Sequence, residues 1–576
     1  DPTGLVDELW PAIERTNKAN PSQGRVWKSM ILIAKRNKPF TRAAKGSVIR
    51  KRTITSYEKE IDALYGDEAS QDKLGKANPD ADVNQTKLFL RRAIGSTGLR
   101  FTQSATDDAD FFGFGVDSLQ VVALSKALTN AFSESGHGQI LPQVIYQNPT
   151  ISTLAKYLLG DRNDTSASGA GKSREEIMSS MVERYTADLR TPSHPTIPSS
   201  TEQRTVVLTG STGSLGNYIL QDLIASPQVS KVYCMNRSAG AAERNRESFG
   251  ARGVASDFAK VTFLETDFAK DHFGLPLGLY NELLQSVDTF IHNAWAVDFN
   301  KTVASFEDTH IAGTRRVVDF SIESEHRAHI VFISSIAGVG NWSSYATASE
   351  HVPEKIIEDH TVSLPQGYGE SKHVTECILA MAARRASVPS TVIRCGQLAG
   401  PSDAGSVWNR HEWVPSLLIS SRELGMVPQT LGNQNVVDWI PMDVAAKTVY
   451  QLTMARSGEA SKDVDVARAY HIVNPLVVQW TDLVPSIVQV LQEQTDKPVK
   501  AVTFETWLKA LRDCPVTTEE MEKKPAIKLL DFYEGLRSEN GALPRLATRD
   551  TEGTSEALRS VDAISADLVR AWIKMW

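Results

Sequence analysis

The larger, carboxy-terminal part of this 576-residue sequence predicts a doubly wound α/β fold built on a parallel sheet. From Arg204 onward the apolar runs TVVLT, KVYCMN, VTFLE, DTFIHN, HIVFIS, TVIRC and AYHIVN alternate with stretches of helical periodicity. Parallel strands, buried on both faces, read as such continuous runs. The first run leads directly into a turn with spaced glycines, Thr209-Gly210-Ser211-Thr212-Gly213-Ser214-Leu215-Gly216, followed by a helical pattern. The chain is also too long for a single hydrophobic core, so further domains are expected ahead of the sheet.

Composition narrows the function classes. A formal net charge of -7 offers no electrostatic footing for a nucleic-acid partner. No apolar run approaches the ~18 residues of a membrane span. The first residue is Asp1 and no charged-then-apolar leader follows, so the sequence reads as starting inside a longer protein. Cys234, Cys377, Cys395 and Cys514 show no metal-ligand spacing. They are expected to be free thiols in a reducing, cytoplasmic compartment, and no metal site is expected.

Residues 1–75 are rich in Lys and Arg and contain Lys38-Pro-Phe-Thr-Arg-Ala-Ala-Lys45-Gly-Ser-Val-Ile-Arg50-Lys51. This segment resembles the last motif of adenylate-forming enzymes. The resemblance implies a partial α/β lid subdomain, with Lys45 as the lysine that contacts the acyl-adenylate and an adenylation domain upstream as partner.

Residues 84–160 carry helical patterns around Asp110-Phe-Phe-Gly-Phe-Gly-Val-Asp117-Ser118-Leu119, with Val121, Val122, Leu124 and Leu128 following. A serine at a helix start is open to modification, and the helix dipole favours an added phosphodiester. An ordinary N-cap serine looks the same in isolation. In pattern and length the segment closely resembles a four-helix acyl or peptidyl carrier domain. That resemblance implies a covalent 4'-phosphopantetheine on Ser118, attached by a phosphopantetheinyl transferase. Residues 161–200 then read as a linker, small and polar at first and proline-rich at its end. One amphipathic helix is expected within it, from Ser173 to about Leu189.

The glycine turn at 209–216 suits a dinucleotide: tight turn, close backbone approach to pyrophosphate, close helix–strand packing, and a helix N-terminus facing the anion. An NAD site wants an acidic residue at the end of the second strand. Here that place holds Asn236-Arg237-Ser238, with Arg244 in the next helix, so cations stand where a 2'-phosphate would lie and the expected cofactor is NADPH. Asp267, after the third strand, is placed for the adenine amine, and Asn293 and Ala294 close the fourth strand beside the cofactor path.

Tyr368 and Lys372 share one helix face at a spacing of four. A neighbouring ammonium is expected to lower the phenol pKa toward the working range. Ser334 and Ser335 end a strand at the carboxyl edge, where a hydroxyl can donate to a carbonyl oxygen becoming negative. Residues 204–450 resemble the extended short-chain dehydrogenase/reductase family, a Rossmann-type fold. There Ser335 (with Ser334 as fallback), Tyr368 and Lys372 would form the catalytic set. Arg394-Cys-Gly-Gln-Leu-Ala-Gly400 is similar to the segment lining the nicotinamide end, and Val437–Val444 to a segment of the thioester-reductase branch. The remainder, to Trp576, would supply the substrate-binding lobe of a reductase domain spanning 201–576.

In order, the three parts resemble the tail of the fungal-type, NRPS-like carboxylic acid reductases. The family implies NADPH-dependent reductive release of a carrier-bound acyl thioester as an aldehyde. Rival readings are a cyclising release domain without hydride transfer, a free-substrate epimerase or dehydrogenase, and a carrier-presenting module without redox activity. The retained Tyr368 and the fused carrier argue against them.

Overall fold

The computed structural model describes residues 6, 9–10, 12–13, 31–34, 38–40, 48, 50–60, 76–77, 81–96, 106–112, 116, 118–132, 140, 142–159, 173–191, 203–254, 257–299, 301–345, 351–402, 408–455, 467–515, 518–537 and 542–576. The chain divides into two compact units, Asp1–Lys172 with Asn300–Ser305, and Ser173–Phe299 with Phe306–Trp576.

In the first unit a short helix, Arg50–Ser56, leads to the buried Tyr57, whose hydroxyl donates to the Lys38 carbonyl; Lys38 pairs with Glu60 at 2.8 Å. Lys45 and Asp117 lie outside the described residues. The carrier segment forms four helices: α1 (Val83–Ser96), α2 (Ser118–Ala131), α3 (Pro142–Gln147) and α4 (Ile151–Leu158). Their apolar faces meet in one cluster around Leu90, Ile94, Leu124, Leu128, Ile145 and Leu154. Phe111 and Phe112 of the sequence motif belong to that cluster, with Phe112 stacked on Tyr146 at 5.1 Å. They anchor the loop that ends where α2 begins, at Ser118.

The second unit is built on seven strands: β1 (Arg204–Thr209), β2 (Val229–Asn236), β3 (Val261–Glu265), β4 (Thr289–His292), β5 (His329–Ser335), β6 (Ser390–Cys395) and β7 (Arg468–Ile472). Each of the seven apolar runs becomes a strand. Their order is β7-β6-β5-β4-β1-β2-β3, with every neighbouring pair parallel. The order reverses between β1 and β4, and ligands of such sheets bind outside the strand carboxyl ends at that reversal.

Beyond the sheet, the carboxy-terminal residues fold over an apolar cluster rich in tryptophan. A buried indole N–H needs an acceptor, and three of the most deeply buried have one nearby: Trp480 gives to Pro428 O at 2.9 Å, Trp507 to Ser421 Oγ at 2.9 Å, and Trp572 to Pro401 O at 2.8 Å. Trp572 also lies flat against Gly400, where a Cβ would come within 2.5 Å of its ring. The last helix, Ala566–Lys574, is thereby fastened to the segment leaving β6.

The helix expected inside the linker, α5 (Arg174–Thr186), belongs to the second compact unit. Locally it forms because Ser173 and Glu176 make a reciprocal capping box. Its amphipathic pattern marks a helix without naming what covers the apolar face, and the covering surface is the body of the second unit. Arg174 donates to Glu370 at 2.9 Å and to the Ser363 carbonyl at 3.0 Å, and Met178 is buried against Ser363. The unit therefore starts at Ser173, ahead of the expected 201. Arg174→Ala is expected to cost about 1.5–3 kcal/mol, because it strands the half-desolvated Glu370 carboxylate. Calorimetry of the whole chain should show the transition of the second unit a few degrees lower; an unchanged midpoint would mean that the Arg174 contacts contribute nothing to the fold.

Candidate functional site

β1 ends at the buried Thr209, whose Oγ1 accepts the amide hydrogens of Asn293 (2.9 Å) and Ala294 (2.8 Å) just beyond β4. Asn293 answers by donating from Nδ2 to the Thr209 carbonyl at 3.2 Å. Gly210 has φ +71, and a Cβ there would meet Ala294 at 3.1–3.2 Å; at Gly216 a Cβ would overlap the Gly210 carbonyl oxygen. Only glycine meets both demands, which is the cradle a pyrophosphate needs. Thr212, Gly213 and Ser214 form the exposed rim, and Gly213 is the N-cap of α6 (Ser214–Ala225).

Ser211 and Leu215 face inward. Leu215 sits in the sheet–helix core, while Ser211 Oγ receives Asn236 Nδ2 at 3.0 Å and Asn245 Nδ2 at 3.2 Å. The network continues from Asn217 Nδ2 to Asn245 Oδ1 at 2.8 Å and from Arg252 to Asn217 at 2.6 Å. These side chains stiffen the turn, so any cofactor contact from Ser211 or Leu215 comes through the backbone. On its outer side the rim opens to a cavity of ≈ 280 Å³ closed by Gly400, Trp408 and Glu412. Burial pushes the Glu412 carboxyl up to about 7.

At the end of β2 the two arginines differ. Arg237 is exposed and has no polar partner among the described residues. Arg244 folds back over the Gly240 turn, donating to Ala239 O at 3.1 Å and Ser238 Oγ at 2.9 Å. It braces the loop that presents Arg237. Asp267 caps the turn after β3, accepting from Ala269 N at 3.0 Å and pairing with Lys270 at 3.3 Å.

The two serines ending β5 point to opposite faces, as successive strand residues must. Ser334 is buried and donates to Glu376 at 2.5 Å. Ser335 caps the following turn, accepting from Ala337 N at 3.2 Å, and its hydroxyl lies near enough to the Tyr368 phenol to favour the ionised form. Tyr368, near the start of α9 (Gly367–Ala386), can come this close because Gly369 lies against the Ala337 carbonyl, where a Cβ would approach to 2.6 Å. Phe299 and Phe306 border the phenol at 5.2 and 6.4 Å between ring centroids. Lys372 is buried, with Nζ donating to Ile333 O at 2.7 Å and lying 4.1 Å from the centre of the Trp295 ring and 4.7 Å from that of Phe332.

One expectation needs correction. The ammonium was expected to lower the phenol pKa, yet burial pushes Tyr368 up to about 12, and the group that opposes the rise is the Ser335 hydroxyl. The same burial pulls Lys372 down to about 7, against the pull of Cys395 and Glu376. A dry site disfavours both charges, and Lys372 Nζ is 5.9 Å from the Tyr368 ring centre, held by a backbone carbonyl. A protonated phenol beside a serine hydroxyl is a donor pair suited to an oxygen gaining negative charge. Lys372 has one protein acceptor for its three possible hydrogens, leaving donors for a cofactor ribose.

Several residues escaped sequence reading. Glu376 and Arg394 form a fully buried ion pair at 2.6 Å under the site, and Trp295 walls Lys372 while stacking on His310 at 4.6 Å. The repeat of four that links Tyr368, Lys372 and Glu376 is a signal that could have exposed the ion pair. Among the described residues no helix is long and apolar enough to cross a membrane.

Three known families match in order along the chain: AMP-binding enzyme C-terminal domain over residues 1–69, Phosphopantetheine attachment site over 97–158, and Male sterility protein, an NAD-binding family, over 208–449. A carboxylic acid reductase of Neurospora crassa is 35% identical across 99% of this chain and 54% of its own length. An adenylate-forming reductase, Nps10, of Heterobasidion annosum is 33% identical across 91% of this chain and 47% of its own length. The chain thus spans about half the length of the curated relatives it matches. Among solved structures, the terminal R domain of the myxalamid PKS-NRPS pathway superposes with a TM-score of 0.57 at 21% identity, over 69% of this chain and 97% of that one. A thiolation-reductase di-domain of an archaeal non-ribosomal peptide synthetase gives 0.53 at 18%, over 87% and 98%. Those two show the fold.

The opposed serines generate a test. Ser334→Ala removes a donor from the buried Glu376 and should cost about 1.5–3 kcal/mol of stability, with turnover largely kept. Ser335→Ala should leave the thermal midpoint nearly unchanged and lower turnover by about two to three decades, as for a lost oxyanion donor. Measuring midpoint and kcat for both checks this; reversed behaviour would make Ser334 the reacting serine.

Proposed function

Since the chain is a homologue of the carboxylic acid and adenylate-forming reductases, we propose that it releases an acyl group from its own carrier by NADPH-dependent reduction of the thioester to an aldehyde. The observation that carries this reading is the convergence of Ser335, Tyr368 and the buried Lys372 at the sheet edge next to a glycine cradle, in a chain that also matches a phosphopantetheine attachment segment.

The residues fit a dinucleotide. Gly210, Gly213 and Gly216 would hold the pyrophosphate, Arg237 a 2'-phosphate, and Tyr368 with Lys372 the nicotinamide ribose. When bound, the reduced nicotinamide supplies hydride. Ser118 is the proposed attachment point of the arm that presents the thioester. Tethering makes the encounter intramolecular, so effective concentration replaces tight substrate binding.

In this reading Tyr368 is the proton donor. Its high pKa keeps the proton on the phenol until the substrate oxygen gains enough charge to take it. Ser335 Oγ steadies that oxygen. The C–S bond of the reduced adduct then breaks, the oxygen gives up its proton as the carbonyl re-forms, and the sulfur leaves as the free carrier thiol beside the aldehyde. Lys372 keeps its hydrogen bond to Ile333 O and uses its remaining hydrogens on the ribose, and Trp295 and Phe332 exclude water from it. An upstream adenylation domain would load the acid, and a phosphopantetheinyl transferase would prime Ser118.

Tyr368→Phe keeps the ring and removes the proton donor. Turnover of a carrier-bound or soluble thioester should fall at least about a hundredfold, with NADPH affinity preserved. Near-normal reduction by this variant would place the proton source elsewhere. For cofactor choice, Arg237→Ala should raise KM for NADPH by about one to two decades, the equivalent of roughly 1.5–3 kcal/mol, and leave NADH nearly untouched. Equal losses with both cofactors would show that Arg237 supports the loop and not the phosphate.

A further inference from the structure

Beside Lys372, three side chains unused by the chemistry above converge. His373 and Cys377 project from α9 at a spacing of four, and His360 comes from the short turn His360–Val362 that precedes the helix. His373 Nε2 lies 3.1 Å from His360 Nδ1 and 3.6 Å from Cys377 Sγ, and all three ligand atoms fall within 4.8 Å of one another. His373 and Cys377 are buried and His360 is half-buried. The two imidazole rings stand at 88°.

Protons alone serve this arrangement poorly. An imidazole nitrogen carries either one hydrogen or one in-plane lone pair, so Nε2 of His373 cannot make two linear hydrogen bonds at once. A cation at the centre satisfies all three atoms together. Zinc–nitrogen bonds of about 2.0–2.1 Å and zinc–sulfur bonds of about 2.3 Å give a tetrahedron with N–N edges of about 3.3 Å and N–S edges of about 3.6 Å. The two close contacts here match those edges to within about 0.2 Å, and the third, between His360 and Cys377, lies within 4.8 Å and closes as the metal binds. Asp359, Glu175, Glu358 and Glu376 are the acidic groups around the cluster and Arg174, Arg384 and Arg394 the basic ones, with Glu358 paired to Arg384 and Glu175 to Arg174.

The geometry points to a zinc-class metal site formed by His360, His373 and Cys377. Two nitrogens and one thiolate select a borderline-soft divalent ion over magnesium or calcium. Its three protein ligands tie the 351–366 loop to the helix that carries Tyr368 and Lys372. The site is a clip on the framework of the reaction centre and takes no part in the hydride or proton steps. It was invisible to cysteine spacing because only one ligand is a cysteine and the ligands come from two elements.

The test uses the whole chain, stripped with a chelator and titrated with cobalt(II). One equivalent should bind with tetrahedral d–d absorption and a near-ultraviolet thiolate-to-cobalt charge-transfer band, and zinc should displace it. Cys377→Ser should lose the charge-transfer band, while Cys514→Ser, in the carboxy-terminal lobe, should keep it. His360→Ala, on the half-buried turn, should weaken cobalt binding roughly tenfold or more. Zinc should raise the thermal midpoint of the wild type and not of His360→Ala. Absence of stoichiometric uptake overturns the proposal, as does a charge-transfer band that persists in Cys377→Ser. Should Cys377→Ser fail to fold, wild-type cobalt affinity in His360→Ala overturns it equally.

Discussion

The buried ion pair between Glu376 and Arg394 is the constraint on which the reaction centre depends. Both side chains are fully excluded from water, an arrangement that costs several kcal/mol per ion unless every remaining donor and acceptor is met. Here they are met. Arg394 donates twice to Glu376, at 2.6 and 3.0 Å, and also to Lys355 O at 3.1 Å, with His471 Nε2 at 3.2 Å; Ser334 completes the carboxylate. Helix α9, strands β5, β6 and β7 and the 355 loop are thus joined at one point. The pair fixes the rotation of α9, and with it where Tyr368 and Lys372 emerge. It also claims Ser334, so strand alternation sends Ser335 to the site. The proposal of Ser335 as the reacting serine rests on this structural contact on the other face.

Burial then sets the chemistry. The same exclusion of water that makes the ion pair strong raises Tyr368 to about 12 and lowers Lys372 to about 7. A phenolate-forming pair would suit abstraction of a proton from an alcohol. A reluctant phenol beside Ser335 suits the opposite direction, giving a proton to an oxygen that gains charge late. Trp295 and Phe332 maintain this state by enclosing the Lys372 ammonium, and Trp295 is itself positioned by His310 and by a 3.2 Å hydrogen bond to Ser371.

Much of this was legible in the sequence, for identifiable reasons. Parallel strands buried on both faces leave continuous apolar runs, so all seven were visible; their spatial order was not, because order is decided by which helix crosses which face. The glycine turn carried its own steric argument, and Gly210 and Gly216 meet it. Tyr368 and Lys372 were legible through helical spacing, but the direction of their pKa shifts was not, since spacing says nothing about water. Spacing could not show that the Arg244 side chain reaches Ala239 and Ser238, that Ser211 meets Asn236 and Asn245, or that Leu215 lies in the core. Helix α5 was recognised as a helix and assigned to a connector, because amphipathicity does not name the surface that covers it. The His360–His373–Cys377 cluster combines ligands from two elements and needed coordinates.

The central claim is that hydride reaches the carbonyl carbon of a carrier-bound thioester while Tyr368 protonates the oxygen. The most direct measurement is a single turnover of acylated carrier on the whole chain with NADPH deuterated at the transferable position, followed by mass analysis of the product. The account predicts release of an aldehyde bearing one deuterium on its carbonyl carbon, with one NADPH oxidised per acyl group. Release of a cyclised or hydrolysed product free of deuterium, with NADPH unconsumed, would contradict it.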